Sequence, residues 1–123
     1  MKVRLYGIRN CDTVKKARAW LDAKAVDVDF HDFRSAGVSP ELLASWLART
    51  GWQTLFNRLV NRRGLTWKKL PEIRRQQVVD AQSAIALMLE SPTVIKRPVL
   101  VAGSKLLVGF DTEEYASLFQ WSR

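Results

Sequence analysis

Lys2-Val3-Arg4-Leu5-Tyr6-Gly7-Ile8-Arg9-Asn10-Cys11-Asp12-Thr13-Val14-Lys15-Lys16-Ala17 is the stretch on which the fold turns. From Lys2 to Tyr6, polar and apolar residues alternate, which is the period of a half-buried strand. Beyond Arg9-Asn10 the period lengthens: Val14, Ala17 and Leu21 fall at i, i+3 and i+7, the inner stripe of a helix. Lys15, Lys16 and Asp22 are left to solvent. Val26, Val28 and Phe30 then alternate with Asp27, Asp29 and His31, predicting a second strand. Two strands joined through a helix run parallel in one sheet.

Cys11 is the only cysteine in the chain and sits where the first strand hands over to the helix. Unpaired N–H groups at a helix start stabilise a thiolate, the nucleophile of sulfur chemistry, and lower the thiol pKa from about 8.5 to roughly 3.5–7.5. A lone cysteine elsewhere is most often a small buried hydrophobe. Here its neighbours are polar and basic: Arg9, Asn10, Asp12, Lys15 and Lys16. The Asp12 carboxylate opposes a thiolate unless Asp12 caps the helix and spends its charge on backbone N–H groups. Val14 stands where a CxxC motif needs its second cysteine, so any disulfide intermediate involves an outside thiol.

The middle of the chain reads as helix only. Ser39-Pro40-Glu41 is a helix start, with serine as cap and proline in the first turn. Leu42, Leu43, Trp46 and Leu47 form its apolar face, and Gly51 can end it. Trp52, Leu55, Phe56, Leu59 and Val60 repeat the helical spacing. Gly64 marks a turn, Pro71 opens a short helix, and Ile85, Leu87, Met88 and Leu89 belong to a buried helix that stops at Ser91-Pro92. Pro98-Val99-Leu100-Val101 and Leu106-Leu107-Val108 then flank Gly103-Ser104 as a hairpin. Asp111 with Glu114 resembles a capping box for a last helix, whose Tyr115, Leu118 and Phe119 face inward. The five tryptophans fall mostly on apolar stripes and read as core.

At 123 residues the chain is long enough to bury a real core. No apolar run approaches the roughly 18 residues of a membrane span, and no signal-peptide pattern opens the chain. A single cysteine suits the reducing cytoplasm, the expected compartment. The net charge of +8 is concentrated: from 57 to 76, seven cationic side chains stand against Glu72 alone, a net +6. That segment suits an anion or an acidic protein partner, or is a solvated face. No nucleic-acid docking module accompanies it, so nucleic acid is not an expected partner. One histidine and one cysteine make no tetrahedral zinc site, and His31 reads as a satisfied surface or edge histidine.

The order β-α-β, helices, β-β-α, with a cysteine after the first strand, is that of a thioredoxin-like fold. The segment Gly7 to Ala17 resembles the active-site segment of the ArsC/Spx family, most closely its YffB-like branch. Arg97-Pro98-Val99-Leu100-Val101 resembles the family's Arg-Pro strand entry, and Leu107-Val108-Gly109-Phe110 its sequel. Leu59-Val60-Asn61-Arg62-Arg63-Gly64 and Thr66-Trp67-Lys68-Lys69-Leu70 resemble its mid-chain helical segment. The resemblance implies an α/β fold: a four-stranded mixed sheet flanked by helices, in one ArsC-like domain. Residues 1–34 and 97–121 make the thioredoxin-like part, with a helical insertion over about 39–92.

The resemblance also implies the site. Cys11 and Arg97 would be catalytic, and Arg9, Asn10, Thr13, Lys15, Asn61, Arg62, Arg63 and Pro98 would bind substrate. Pro98 matches a proline that is typically cis and faces the cysteine, so a cis Arg97–Pro98 bond is predicted; cis X–Pro costs only about 0.5–1 kcal/mol over trans. Arg97 would stabilise the thiolate and hold an anion with two N–H groups. The implied activity is that of a glutathione-linked thiol oxidoreductase, with glutathione as cosubstrate or a thiol protein as partner, no metal, and Arg9, Lys15 and Arg62 or Arg63 on the glutathione carboxylates. Arsenate reductase is an alternative, although Asn61 and Val108 occupy two of the three places where arsenate reductases carry arginines. The other alternative is a non-catalytic Spx-like regulator that binds RNA polymerase or another protein through the basic segment, but without the CxxC switch.

Overall fold

The computed structural model describes residues 3–49 and 52–119, with backbone only over 52–54. In chain order the elements are β1 (Val3–Gly7), α1 (Asp12–Ala23), β2 (Val28–Asp32), α2 (Phe33–Ala36), α3 (Pro40–Leu47), α4 (Trp52–Leu59), α5 (Leu65–Lys69), α6 (Glu72–Gln76), α7 (Ala81–Glu90), a 3-10 turn (Pro92–Val94), β3 (Val99–Ala102), β4 (Lys105–Val108) and α8 (Thr112–Phe119). The chain divides into two compact units, one made of residues up to 36 and from 97 onward, the other of residues 37–96.

The first unit holds a four-stranded mixed sheet in the order β2-β1-β3-β4. β1 is central: it runs parallel to β2, with Val3 opposite Val28 and Gly7 opposite Asp32, and antiparallel to β3, with Leu5 opposite Leu100. The sheet and its flanking helices are thioredoxin-like. Alternation in β1 and β3 puts Val3, Leu5, Leu100 and Ala102 in one cluster with Ala17 and Leu21 of α1 and Tyr115 and Leu118 of α8. Each fully buried leucine or valine there contributes about 1.5–3 kcal/mol. The hairpin turns at Gly103, which takes φ +60°, a left-handed conformation that a residue with a Cβ adopts at a cost.

Three expectations are corrected. The second strand begins at Val28, not Val26, because the chain leaves α1 through Ala25 at φ +57° and the Val26 N–H donates to the Leu21 carbonyl at 3.0 Å. Val26 thus closes the helix before the strand starts. The short α2 carries no sequence signal of its own, and α5 has no periodic stripe, only the resemblance of 66–70 to a mid-chain helical segment. Not every described tryptophan is core either: Trp46 is buried, but Trp67 is only half-buried, near two arginines described below. The side chains of Trp52 and Trp121, and Gly51 as a helix end, lie outside the described residues.

In the second unit α3, α4 and α7 pack on one another, burying Leu43, Trp46 and Leu47, then Leu55, Phe56 and Leu59, then Ala84, Leu87 and Met88. The Ser39 Oγ accepts from the Leu42 N–H at 3.1 Å with Pro40 in the first turn, as the sequence predicts. Asp80 and Ser83 make a full capping box at α7, with serine where Glu or Gln is usual. α5 and α6 bury no residue, and Leu65, Ile73 and Val79 around them are 72%, 68% and 71% exposed. Among the described residues no helix is long and apolar enough to cross a membrane.

Candidate functional site

Cys11 lies past the carboxyl end of the central strand and is itself the N-cap of α1, in extended conformation. Asp12 is the first helical residue rather than the cap, so its carboxylate does not take the role the sequence suggested. The Cys11 N–H donates to the Ile8 carbonyl at 3.2 Å, and the Cys11 carbonyl accepts from the Lys15 N–H at 3.0 Å. These two bonds hold the residue between a tight turn and the first helical turn. The thiol makes no formal capping hydrogen bond. It faces the N–H groups of Val14 and Thr13 closely enough for both to favour the thiolate.

The balance at the sulfur is downward. Burial is the largest influence and pushes the thiol pKa up; it is overcome by the Val14 N–H, the Thr13 N–H, a hydrogen bond from the Arg97 side chain and the Arg97 charge. Arg97 is half-buried and enters through the Arg97–Pro98 bond, which is cis as predicted. Pro98 is buried, and its carbonyl accepts from the Gly109 N–H at 2.8 Å, fastening the start of β3 behind the hairpin.

Two residues of the site escaped the sequence reading. Asp32, opposite Gly7 in the sheet, sends its carboxylate to the cysteine turn. It accepts from the Arg9 N–H at 3.2 Å and from the Arg34 N–H at 2.7 Å, and lies 3.9 Å from the Arg9 guanidinium. Although some burial opposes it, these N–H groups, that of Ser35 and the Arg9 charge hold the carboxyl below its usual range. The only advance signal was an acidic residue at a strand end. Gly7 is the second: a Cβ there would stand 2.7 Å from Val14 Cγ2, closer than real Cβ atoms approach. Glycine lets the strand end lie against Val14, whose N–H serves the thiol.

The other expected residues divide. Arg9 is 73% exposed and turned toward Asp32. Asn10, Thr13 and Lys15 are exposed around the turn, Thr13 acting through its backbone N–H. Asn61, Arg62 and Arg63 belong to the second unit. There the Asn61 N–H donates to the Val94 carbonyl at 2.8 Å, Arg62 donates to the Asn57 side chain, and Arg63 is exposed. His31 sits on the edge strand, as expected, with its ring 5.1 Å from that of Tyr6. Among the described residues no group of three His, Cys, Asp or Glu side chains could hold a metal ion.

Sheet order, a cysteine capping the first helix and an arginine–cis-proline entry to β3 define a thioredoxin-like protein with one cysteine at its candidate site. The ArsC family model matches residues 6–118, and the chain belongs to the ArsC family. A YffB protein of known structure is 47% identical, with a TM-score of 0.82 over 94% of this chain and 96% of that one. An arsenate reductase (ArsC) related protein of Brucella melitensis is 45% identical, with a TM-score of 0.72 over 98% of this chain and 96% of that one. The global transcriptional regulator Spx of Streptococcus pyogenes is 26% identical over 113 residues, 91% of this chain and 81% of that protein.

Proposed function

We propose that the protein is a glutathione-linked thiol oxidoreductase of the cytoplasm that works through a mixed disulfide on Cys11. The observation that carries this reading is a half-buried thiol whose pKa is held down by two helix-start N–H groups and by Arg97. The Cys11 thiolate attacks one sulfur of a substrate disulfide; that bond breaks, and the other half leaves as a thiolate and takes up a proton. A glutathione thiolate then attacks the substrate sulfur of the mixed disulfide and frees Cys11. A second glutathione releases the substrate thiol, so two glutathione molecules become one glutathione disulfide as one substrate disulfide is reduced. The absence of a CxxC partner at Val14 favours the outside thiol. Lys15, exposed one turn into α1, and Arg9 are the residues we expect to meet glutathione carboxylates.

Cys11 alkylation followed against pH, with and without glutathione, tests the reading. A pKa below about 8.5, with glutathione protecting the thiol or forming a mixed disulfide, is expected. Arg97→Gln should raise that pKa, and Cys11→Ser should abolish glutathione-dependent turnover while leaving the fold intact. Turnover surviving in Cys11→Ser overturns the mechanism. An ordinary thiol that ignores glutathione also overturns it, and favours a binding role for the basic segment 57–76 toward an acidic protein.

A further inference from the structure

We propose that the helical unit carries a second ligand site, a pocket built by Arg62, Trp67 and Arg75 that receives a small planar carboxylate. The pocket has a volume of about 430 Å³ and is formed wholly by residues of the 37–96 unit. Phe56 and Val78 give it an apolar wall, and two guanidinium groups approach Trp67, Arg62 at 5.5 Å and Arg75 at 5.7 Å from the ring centroid. Both are within cation–π range of the ring.

The charges are what call for a ligand. Arg74, next in sequence, is neutralised by Glu90 at 2.9 Å. Arg75 has no such carboxylate among the described residues, although it is half-buried and its Nε is shielded from solvent with no hydrogen-bond acceptor. Among the described residues Arg62 donates to the neutral side chain of Asn57. A half-buried guanidinium without a carboxylate counter-charge is unfavourable, and a ligand carboxylate at the part of Arg75 that lines the pocket supplies one. Glu72 is the one acidic side chain on the wall and is engaged by Gln76 at 3.4 Å, so two arginines against one glutamate leave the lining at +1. A flat ligand body laid along Phe56 and Val78 with its carboxylate at the guanidiniums fits this distribution. Unlike a phosphate, it uses the apolar wall as well as the charge.

The test is a titration of the ¹⁵N-labelled full chain by NMR with benzoate, benzyl alcohol and inorganic phosphate as probes. Benzoate should shift the Trp67 indole N–H and the amides of residues 62–78 saturably, while benzyl alcohol and phosphate bind at least about tenfold more weakly. Arg62→Gln and Arg75→Gln should each weaken benzoate by about tenfold, and Glu72→Gln should strengthen it. Arg62 is exposed, so its variant keeps the test valid even if Arg75→Gln does not fold. Absence of saturable shifts, equal response to benzyl alcohol or phosphate, or an unchanged Arg62→Gln overturns the proposal. Weaker binding in Glu72→Gln also overturns it, pointing to a cationic ligand. None of these outcomes bears on the Cys11 chemistry, which is tested separately.

Discussion

At Cys11, burial and hydrogen bonding pull in opposite directions, and the site exists because hydrogen bonding wins. Burial alone would leave an inert thiol; the N–H groups of Val14 and Thr13 and the side chain of Arg97 reverse it. Two of those groups depend on the backbone path of α1, and that path depends on Gly7. Alanine at position 7 would drive a Cβ to 2.7 Å from a branched side chain that has no flexible end to move away. Gly7→Ala is therefore expected to destabilise the fold by about 1–3 kcal/mol and to raise the Cys11 pKa as Val14 is displaced. Denaturant unfolding and the alkylation profile check the two halves; an unchanged thiol pKa would show that the helix start does not depend on this contact.

At the scale of elements, the cysteine turn is joined to the sheet by a side chain rather than by backbone ladder bonds. β1 stops at Gly7, and Asp32 at the end of β2 takes over by accepting from Arg9 on one side and Arg34 on the other. Asp32 is a positioning residue: it touches the turn, not the thiol. Asp32→Ala should speed hydrogen exchange at the Arg9 and Arg34 amides by about tenfold. Asp32→Asn, which keeps one acceptor oxygen, should restore part of the protection. Equal exchange in wild type and Asp32→Ala would remove Asp32 from this role. The same change frees the Arg9 guanidinium, which the carboxylate otherwise draws off at 3.9 Å.

For the whole molecule, stability should fall on both sides of neutrality. Asp32, Asp80 and Glu90 have folded pKa values below their ordinary 3.8, 3.8 and 4.5. The stability they contribute is complete above those ordinary values and is lost as pH falls through the lower folded ones. Tyr115 has the opposite sign: burial, then the Glu114 charge, raises its pKa above the ordinary 10, so its contribution is present below 10 and lost as pH rises beyond it. Melting temperature against pH should decline on the acid side and again above about pH 10. Tyr115→Phe should flatten the alkaline limb while losing the hydroxyl's bond to the Gly109 carbonyl (3.2 Å), worth about 0.5–1.5 kcal/mol. An alkaline limb unaltered in Tyr115→Phe would exclude the phenol as its source.

Local periodicity determined the strands, the long helices and their succession along the chain, because side-chain alternation and the i, i+3, i+7 stripe are written residue by residue. The short α5 lay below that signal, having no buried stripe to announce it. The place of Cys11 at a strand–helix junction was legible for the same reason, and the Arg97-Pro98 pair through its resemblance to a family motif. What only tertiary structure decided are the meetings across the chain. Asp32 reaches a turn 23 positions away because β1 and β2 are parallel and in register. Trp67 stands among arginines instead of in the core, since α5 and α6 bury nothing of their own. Arg97 reaches Cys11 because β3 pairs with β1. Sequence spacing reports which face a residue takes on its own element; which partner that face meets depends on sheet order and register, which no local pattern encodes.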